Sequence, residues 1–295
     1  QENIDENERL HSAKSTENAR MILALTAIGK DVTNVGGHNL LSGLTDMTYV
    51  QKQGINGPIW ALIAFDSGNY PIPEGGDVTR EALIQVILDT QLSDGGWALS
   101  GSTSDADITG MALQALAPYY KTDAKVKAAV DEALETLSVM QTADGSFGSI
   151  DGVSAESVAQ VVAGLSALGI DAHTDARFVK NGLSAIDALC AFYVEGGGFK
   201  HIPGGSLDGM ATEQSYYALA AYFRMLEGKT ALYDMTDVID MGGDAIAEEP
   251  VETLPVQTEP VEIESEPTEP ADAPNEDGRS FPWWLVIVIV VLAGA

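Results

Sequence analysis

The chain has 295 residues, 45% of them apolar, enough for one large domain or two small ones. It carries 15 Lys+Arg against 44 Asp+Glu, a formal net charge of -29. That balance excludes DNA and RNA as partners, because phosphate binding needs a basic surface. A single cysteine, Cys190, excludes an intramolecular disulfide framework and a Cys-rich metal site.

In chain order, the pattern predicts a helix near 15–29, and a degenerate turn at Gln51-Lys52-Gln53-Gly54 stands before Pro58. Three segments then share one order of events. Gln91-Leu92-Ser93-Asp94-Gly95-Gly96-Trp97 leads into a helix near 106–120. Gln141-Thr142-Ala143-Asp144-Gly145-Ser146-Phe147 leads into a helix near 154–169. Glu195-Gly196-Gly197-Gly198-Phe199 leads into a helix near 211–227. The aromatic residues lie 50 and 52 residues apart, a repeat long enough for two helices and two loops.

The two helices of each unit differ in kind. In 123–141, Val126, Val130, Ala133, Leu134 and Leu137 form one apolar stripe, the mark of a half-buried helix. In 107–120, Ile108, Met111, Ala112, Leu113, Ala115, Leu116 and Tyr119 cover nearly the whole circumference, the mark of a helix buried all round. The contrast recurs between 178–193, with a stripe of Val179, Leu183, Ile186, Cys190 and Tyr193, and the Ala/Val/Gly/Leu segment 158–168. Alternation of this kind implies an inner and an outer layer. The expected fold is therefore all-α, an α/α toroid over residues 1–243 with about four and a half hairpins. Further N-terminal sequence would complete a six-hairpin ring.

Glu17, Asp107, Glu156 and Glu213 align at one register near the starts of the buried helices. Acids there complement the helix dipole, and neighbouring Ser or Thr can cap. The functional counterpart is a ring of carboxylates at one mouth of the toroid. The Gly-rich turns, which allow tight reversal, place their loops at the same mouth.

Residues 244–280 hold twelve acids, one base and six prolines, a composition for a disordered, extended spacer. Residues 281–295 open with Phe281-Pro282-Trp283-Trp284 and continue as an unbroken apolar run. A membrane helix needs about 20 such residues and an aromatic belt. The reading is the start of a C-terminal transmembrane helix, cut short. With no initiator Met, the chain is expected to be a piece of a longer protein at both ends. The expected topology is single-pass in the cell membrane, with the toroid and stalk outside. Export without disulfides suggests a Gram-positive bacterial surface.

Gln91…Gly95-Gly96-Trp97 resembles the QW-type motif of terpene cyclases. The hairpins of about 50 residues resemble the prenyltransferase and squalene-cyclase repeat, over roughly 15–230. That superfamily includes squalene and hopene cyclases, protein prenyltransferase β-subunits and the cobalamin carriers (intrinsic factor and transcobalamin). Each branch implies different residues. The cyclase acid motif Asp-x-Asp-Asp-Thr corresponds to Asp105-Ala106-Asp107-Ile108-Thr109, with Asp107 as general acid, Asp105 beside it and Ile108 in place of the next Asp. The zinc pair Asp-x-Cys of the prenyltransferases corresponds to Asp208-Gly209-Met210, and Met does not replace a thiolate. The carrier branch implies capture without chemistry. Its pocket candidates here are Asp107, Glu156, Lys200, His201, Glu213, Gln214, Tyr216 and Tyr217.

The expected function is thus a surface toroid that captures a small-molecule ligand, with a corrinoid as the analogy suggests. No metal site of its own is expected. His201 is the candidate axial ligand and His173 a weaker one. An adhesion module binding an extracellular protein, and a cyclase-like enzyme, are the alternatives.

Overall fold

The computed structural model describes residues 4–149 and 152–238. They are mostly helical. The helices are α1 (Ser15–Ala27), α2 (Met47–Val50), α3 (Asn56–Ser67), α4 (Arg80–Asp89), α5 (Ala106–Leu116), α6 (Ala124–Met140), α7 (Ala155–Ala167), α8 (Ala185–Cys190) and α9 (Gly209–Leu226). Three two-residue antiparallel hairpins accompany them: β1 (Gly148–Ser149) with β2 (Gly152–Val153), β3 (Val179–Lys180) with β4 (Leu183–Ser184), and β5 (Phe199–Lys200) with β6 (Leu207–Asp208).

The helices divide into two sets by burial and by contact. Helices α1, α3, α5, α7 and α9 pack each against the next in chain order. Helix α4 packs on α3, α6 on α5 and α4, and α8 on α7. Every residue of α7 from Ala155 to Ser166 is buried. Helix α6 buries only Val126, Ala129, Val130, Ala133, Leu134 and Leu137, one face at helical spacing.

The inner helices can touch because small residues let them. An added Cβ at Gly110 in α5 would lie 2.6 Å from the carbonyl carbon and oxygen of Gln160 in α7. One at Gly164 in α7 would lie 2.8 Å from the Gly110 carbonyl oxygen. The two backbones are therefore in direct contact.

The repeated loops are clamped by the same bonds in successive units. The Gln91 amide donates to the carbonyls of Gly95 (2.7 Å) and Ala129 (2.8 Å). The Gln141 amide donates to the carbonyls of Gly145 (3.0 Å) and Phe178 (2.9 Å). Each glutamine ties its own turn to the outer segment of the next unit. The turn needs a left-handed residue, and Gly95 (φ 93°) and Gly145 (φ 83°) supply it. Trp97, Phe147 and Phe199 are fully buried behind these turns, and the Trp97 indole donates to the Ile87 carbonyl at 2.7 Å. In the third unit the glutamine position is Tyr193, whose ring meets Phe199 edge-on at 5.6 Å.

Two expected elements differ. The helix expected over 178–193 is a 3-10 turn (Ala176–Phe178), the β3–β4 hairpin and the short α8. The cause is Asn181-Gly182. Both residues have positive φ (51° and 80°), as a two-residue hairpin turn requires. Ser184 and Asp187 then form a capping box that starts α8. The helix expected over 106–120 ends at Leu116, and a 3-10 turn containing Pro118 follows. The stalk expected over 244–280 and the apolar segment 281–295 lie outside the described residues. No helix among the described residues is long and apolar enough to cross a membrane.

Gly110→Ala separates these roles. In an exposed helix the change would stabilise by about 0.5–1 kcal/mol. Here the new methyl meets the backbone of α7, so a loss of about 1–3 kcal/mol is expected, measured by denaturant unfolding. A gain would show that the two helices do not touch.

Candidate functional site

The starts of α5, α7 and α9 come to one end of the inner layer, and the residues just before them make the caps. Asp105 accepts from the backbone N–H groups of Asp107 (2.9 Å) and Ile108 (3.1 Å). Ser154 accepts from Ser157 N–H (3.1 Å) and Asp208 from Ala211 N–H (2.9 Å). The aligned acids are therefore not the capping residues. Glu213 does not even sit in a first turn, because α9 begins at Gly209.

Two of the four acids converge. The Glu156 carboxylate is 2.8 Å from His201 Nδ1, which links α7 to the loop after β5. The backbone agrees, since Ala155 N–H donates to the His201 carbonyl at 2.9 Å. Glu156 is 7% exposed, whereas the His201 side chain is 55% exposed. The hydrogen bond to Glu156, with its charge, lifts the imidazole pKa above the ordinary 6.5.

Asp107 stands beside this pair. Its Oδ1 is buried and has no hydrogen-bond partner. Burial pushes its carboxyl from 3.8 up to about 6; a hydrogen bond from Ser157 pulls down, and the charges of Asp105 and Glu156 push up further. Glu213 is exposed on α9, and Glu17 lies on α1 with Arg20 at 3.9 Å.

Below the acids runs a chain of amides. Gln114 of α5 donates to Gln160 Oε1 of α7 at 2.9 Å. Gln160 in turn donates to Gln214 Oε1 (3.0 Å) and to the Tyr217 hydroxyl, both on α9. Burial raises the Tyr217 phenol well above its ordinary value. Gln214, next to Glu213, and Tyr217, one turn further along α9, are thus members of this layer. Tyr216 packs its ring edge-on against Phe199 at 5.5 Å. Lys200 is half-buried on β5, where its backbone N–H donates to the Phe192 carbonyl. His173 is elsewhere, bonded to Ser184 Oγ at 2.8 Å.

Sequence reading names Asp107, Glu156 and His201, which the fold brings close to one another, but misses Ser157, which bonds Asp107, and Gln160, which joins Gln114 to Gln214 and Tyr217 below them. Gln160 had a signal: a lone amide in an otherwise apolar helix. The reading also misses the opposite end, where a partly open cavity of about 510 Å³ lies among the C-terminal parts of α3, α5 and α7. The segment after α9 forms its remaining wall. Met235 N–H donates to the Ser67 carbonyl at 2.8 Å, and the Tyr233 ring meets Trp60 edge-on at 5.6 Å.

Among the described residues no three His, Cys, Asp or Glu side chains are grouped to hold a metal. No family model matches the chain, and no curated protein matches it either.

Asp107 has a signed pH signature. Its folded pKa is raised, so ionisation opposes folding; the penalty grows between pH 3.8 and about 6 and is constant above. Asp107→Asn should stabilise at pH 7 by up to about 2–3 kcal/mol, with the gain gone by pH 4. Equal effects at both pH values would refute burial as the cause. For His201, Glu156→Gln should move the imidazole titration, followed by NMR, back toward 6.5.

Proposed function

We propose that the chain is a membrane-anchored surface module, an α/α toroid that captures a ligand at the mouth formed by the starts of α5, α7 and α9. The two-layer alternation of helices and the clamped repeat support the toroid. They also agree with the resemblance to the prenyltransferase and squalene-cyclase repeat, in which the cobalamin carriers offer a functional analogy. The acidic spacer 244–280 and the apolar segment 281–295 support display from a membrane.

The observation that carries the reading is the Glu156–His201 pair. A carboxylate on Nδ1 fixes the ring and raises the basicity of Nε2, the arrangement that usually stands behind a metal-binding imidazole. An exposed imidazole held in this way suits the axial position of a corrinoid. The acids around it favour a neutral or cationic ligand over a phosphate. No bond-making step by the protein is needed.

A second reading has its own support. Ile202 (46%), Leu207 (57%) and Met210 (63%) are exposed on the β5–β6 hairpin and the first turn of α9, beside His201. Large apolar side chains exposed together on one patch mark a protein-interaction surface. A protein partner at the same mouth is the alternative occupant. The cyclase alternative has less behind it. Asp105 is committed to its cap, and amides fill the level beneath Asp107 where a carbocation would need aromatic faces.

Titration of the 295-residue chain with aquocyanocobinamide tests the first reading, because imidazole displaces its axial water and shifts the visible spectrum. A saturable shift is expected, with at least a tenfold loss of affinity in His201→Ala and a smaller loss in Glu156→Gln. Absence of a shift and of heat at high micromolar ligand would sink it.

A further inference from the structure

The cavity at the far end of the inner layer is a candidate for a second site, and its walls specify what it would take. The apolar surface comes from Ile63 of α3, Ala115 of α5, Ala163 and Ala167 of α7 and Leu232 of the terminal segment. At about 510 Å³ it falls in the range that accommodates small organic ligands.

The charged residues that line the cavity are Asp66, Arg80 and Asp234. Arg80 donates from Nε to Asp66 (2.6 Å) and from Nη2 to the carbonyls of Phe65 (2.8 Å) and Tyr70 (2.9 Å). Asp66 also accepts from the Tyr119 hydroxyl at 2.8 Å. Asp234 accepts from the backbone N–H (3.2 Å) and hydroxyl (2.6 Å) of Thr236. The charge of Arg80 is already balanced by Asp66 and Asp234 adds another negative charge, so the lining does not compensate an anionic ligand, whose desolvation is costly.

One polar group retains capacity. Gln114 is 7% exposed and lines the cavity. Both protons of its amide are used, on the Gly110 carbonyl (3.2 Å) and on Gln160 Oε1 (2.9 Å). What Gln114 can still offer is its amide oxygen, an acceptor. We propose that this cavity binds an uncharged amphiphile: an apolar body against the alanine and isoleucine wall, and a hydroxyl or N–H donor on Gln114. The site is separate from the mouth at Glu156 and His201, and it stands or falls independently of the ligand proposed there.

N-phenyl-1-naphthylamine is a suitable probe, being neutral, apolar and equipped with one N–H. Its emission should rise saturably with the 295-residue chain. Ala167→Phe places a ring in the cavity and should weaken the saturable component at least tenfold; Ala231→Phe does the same from the opposite wall. Thermal unfolding of each variant establishes that it is folded. The anionic analogue 1-anilinonaphthalene-8-sulfonate should bind at least tenfold more weakly than the neutral probe. Two results would overturn the proposal: binding unchanged in a folded filled-cavity variant, or sulfonate binding as tight as that of the amine.

Discussion

Everything at the mouth depends on two side-chain amides. Gln91 and Gln141 each bridge the carbonyl of their own turn and a carbonyl of the next outer segment. A neutral amide with two protons suits this task, since it satisfies two buried acceptors and leaves no charge in the interior. The bonds set the distance from unit to unit. With that distance fixed, α5 and α7 run side by side and their first turns open at one end. The Asp107, Glu156 and His201 side chains come together because the backbones that carry them are fixed, and the Glu156–His201 bond then closes the group. The last unit has Tyr193 at the glutamine position, where its ring packs on Phe199 instead.

The alternation of helix types was legible because burial writes itself into composition. A helix covered on all sides consists of small and apolar residues along most of its length, as residues 158–165 of α7 do, apart from Gln160. A helix covered on one side shows a stripe, and α6 does. The segment 178–193 was misleading because Val179, Leu183, Ile186 and Cys190 also fall at helical spacing. Periodicity describes which side chains are apolar, whereas the backbone answers to Asn181-Gly182. A short local signal overrode a longer pattern.

The candidate site was legible only in part, for a related reason. Asp107 and Glu156 could be found by aligning helix starts, and His201 by its loop. Their meeting depends on the crossing of α5 and α7, which no register alignment contains. Glu213 fell out of line because α9 starts two residues earlier than the alignment implied, so the capping residue is Asp208. The cavity was invisible from the sequence. Its walls are ordinary alanines, and its last side comes from residues more than 60 positions away from the alanines of α7 and well over 100 from Arg80, brought there by the fold.

The terminal segment has one further consequence. Residues 231–236 leave α9 and cross to α3, where the bond from Met235 to Ser67 fastens them at the last residue of that helix. Arg224 holds Asp237 at 2.7 Å just beyond. The polypeptide therefore departs from the end of the inner layer opposite to Glu156 and His201. In the membrane-anchored arrangement proposed above, a tether attached at that point would present the acidic end outward, like the bowl of a spoon held by its handle. It would turn the alanine-walled cavity toward the anchoring surface. Under that proposal the two ends of one row of helices would sample different surroundings, one the open medium and the other the neighbourhood of the membrane.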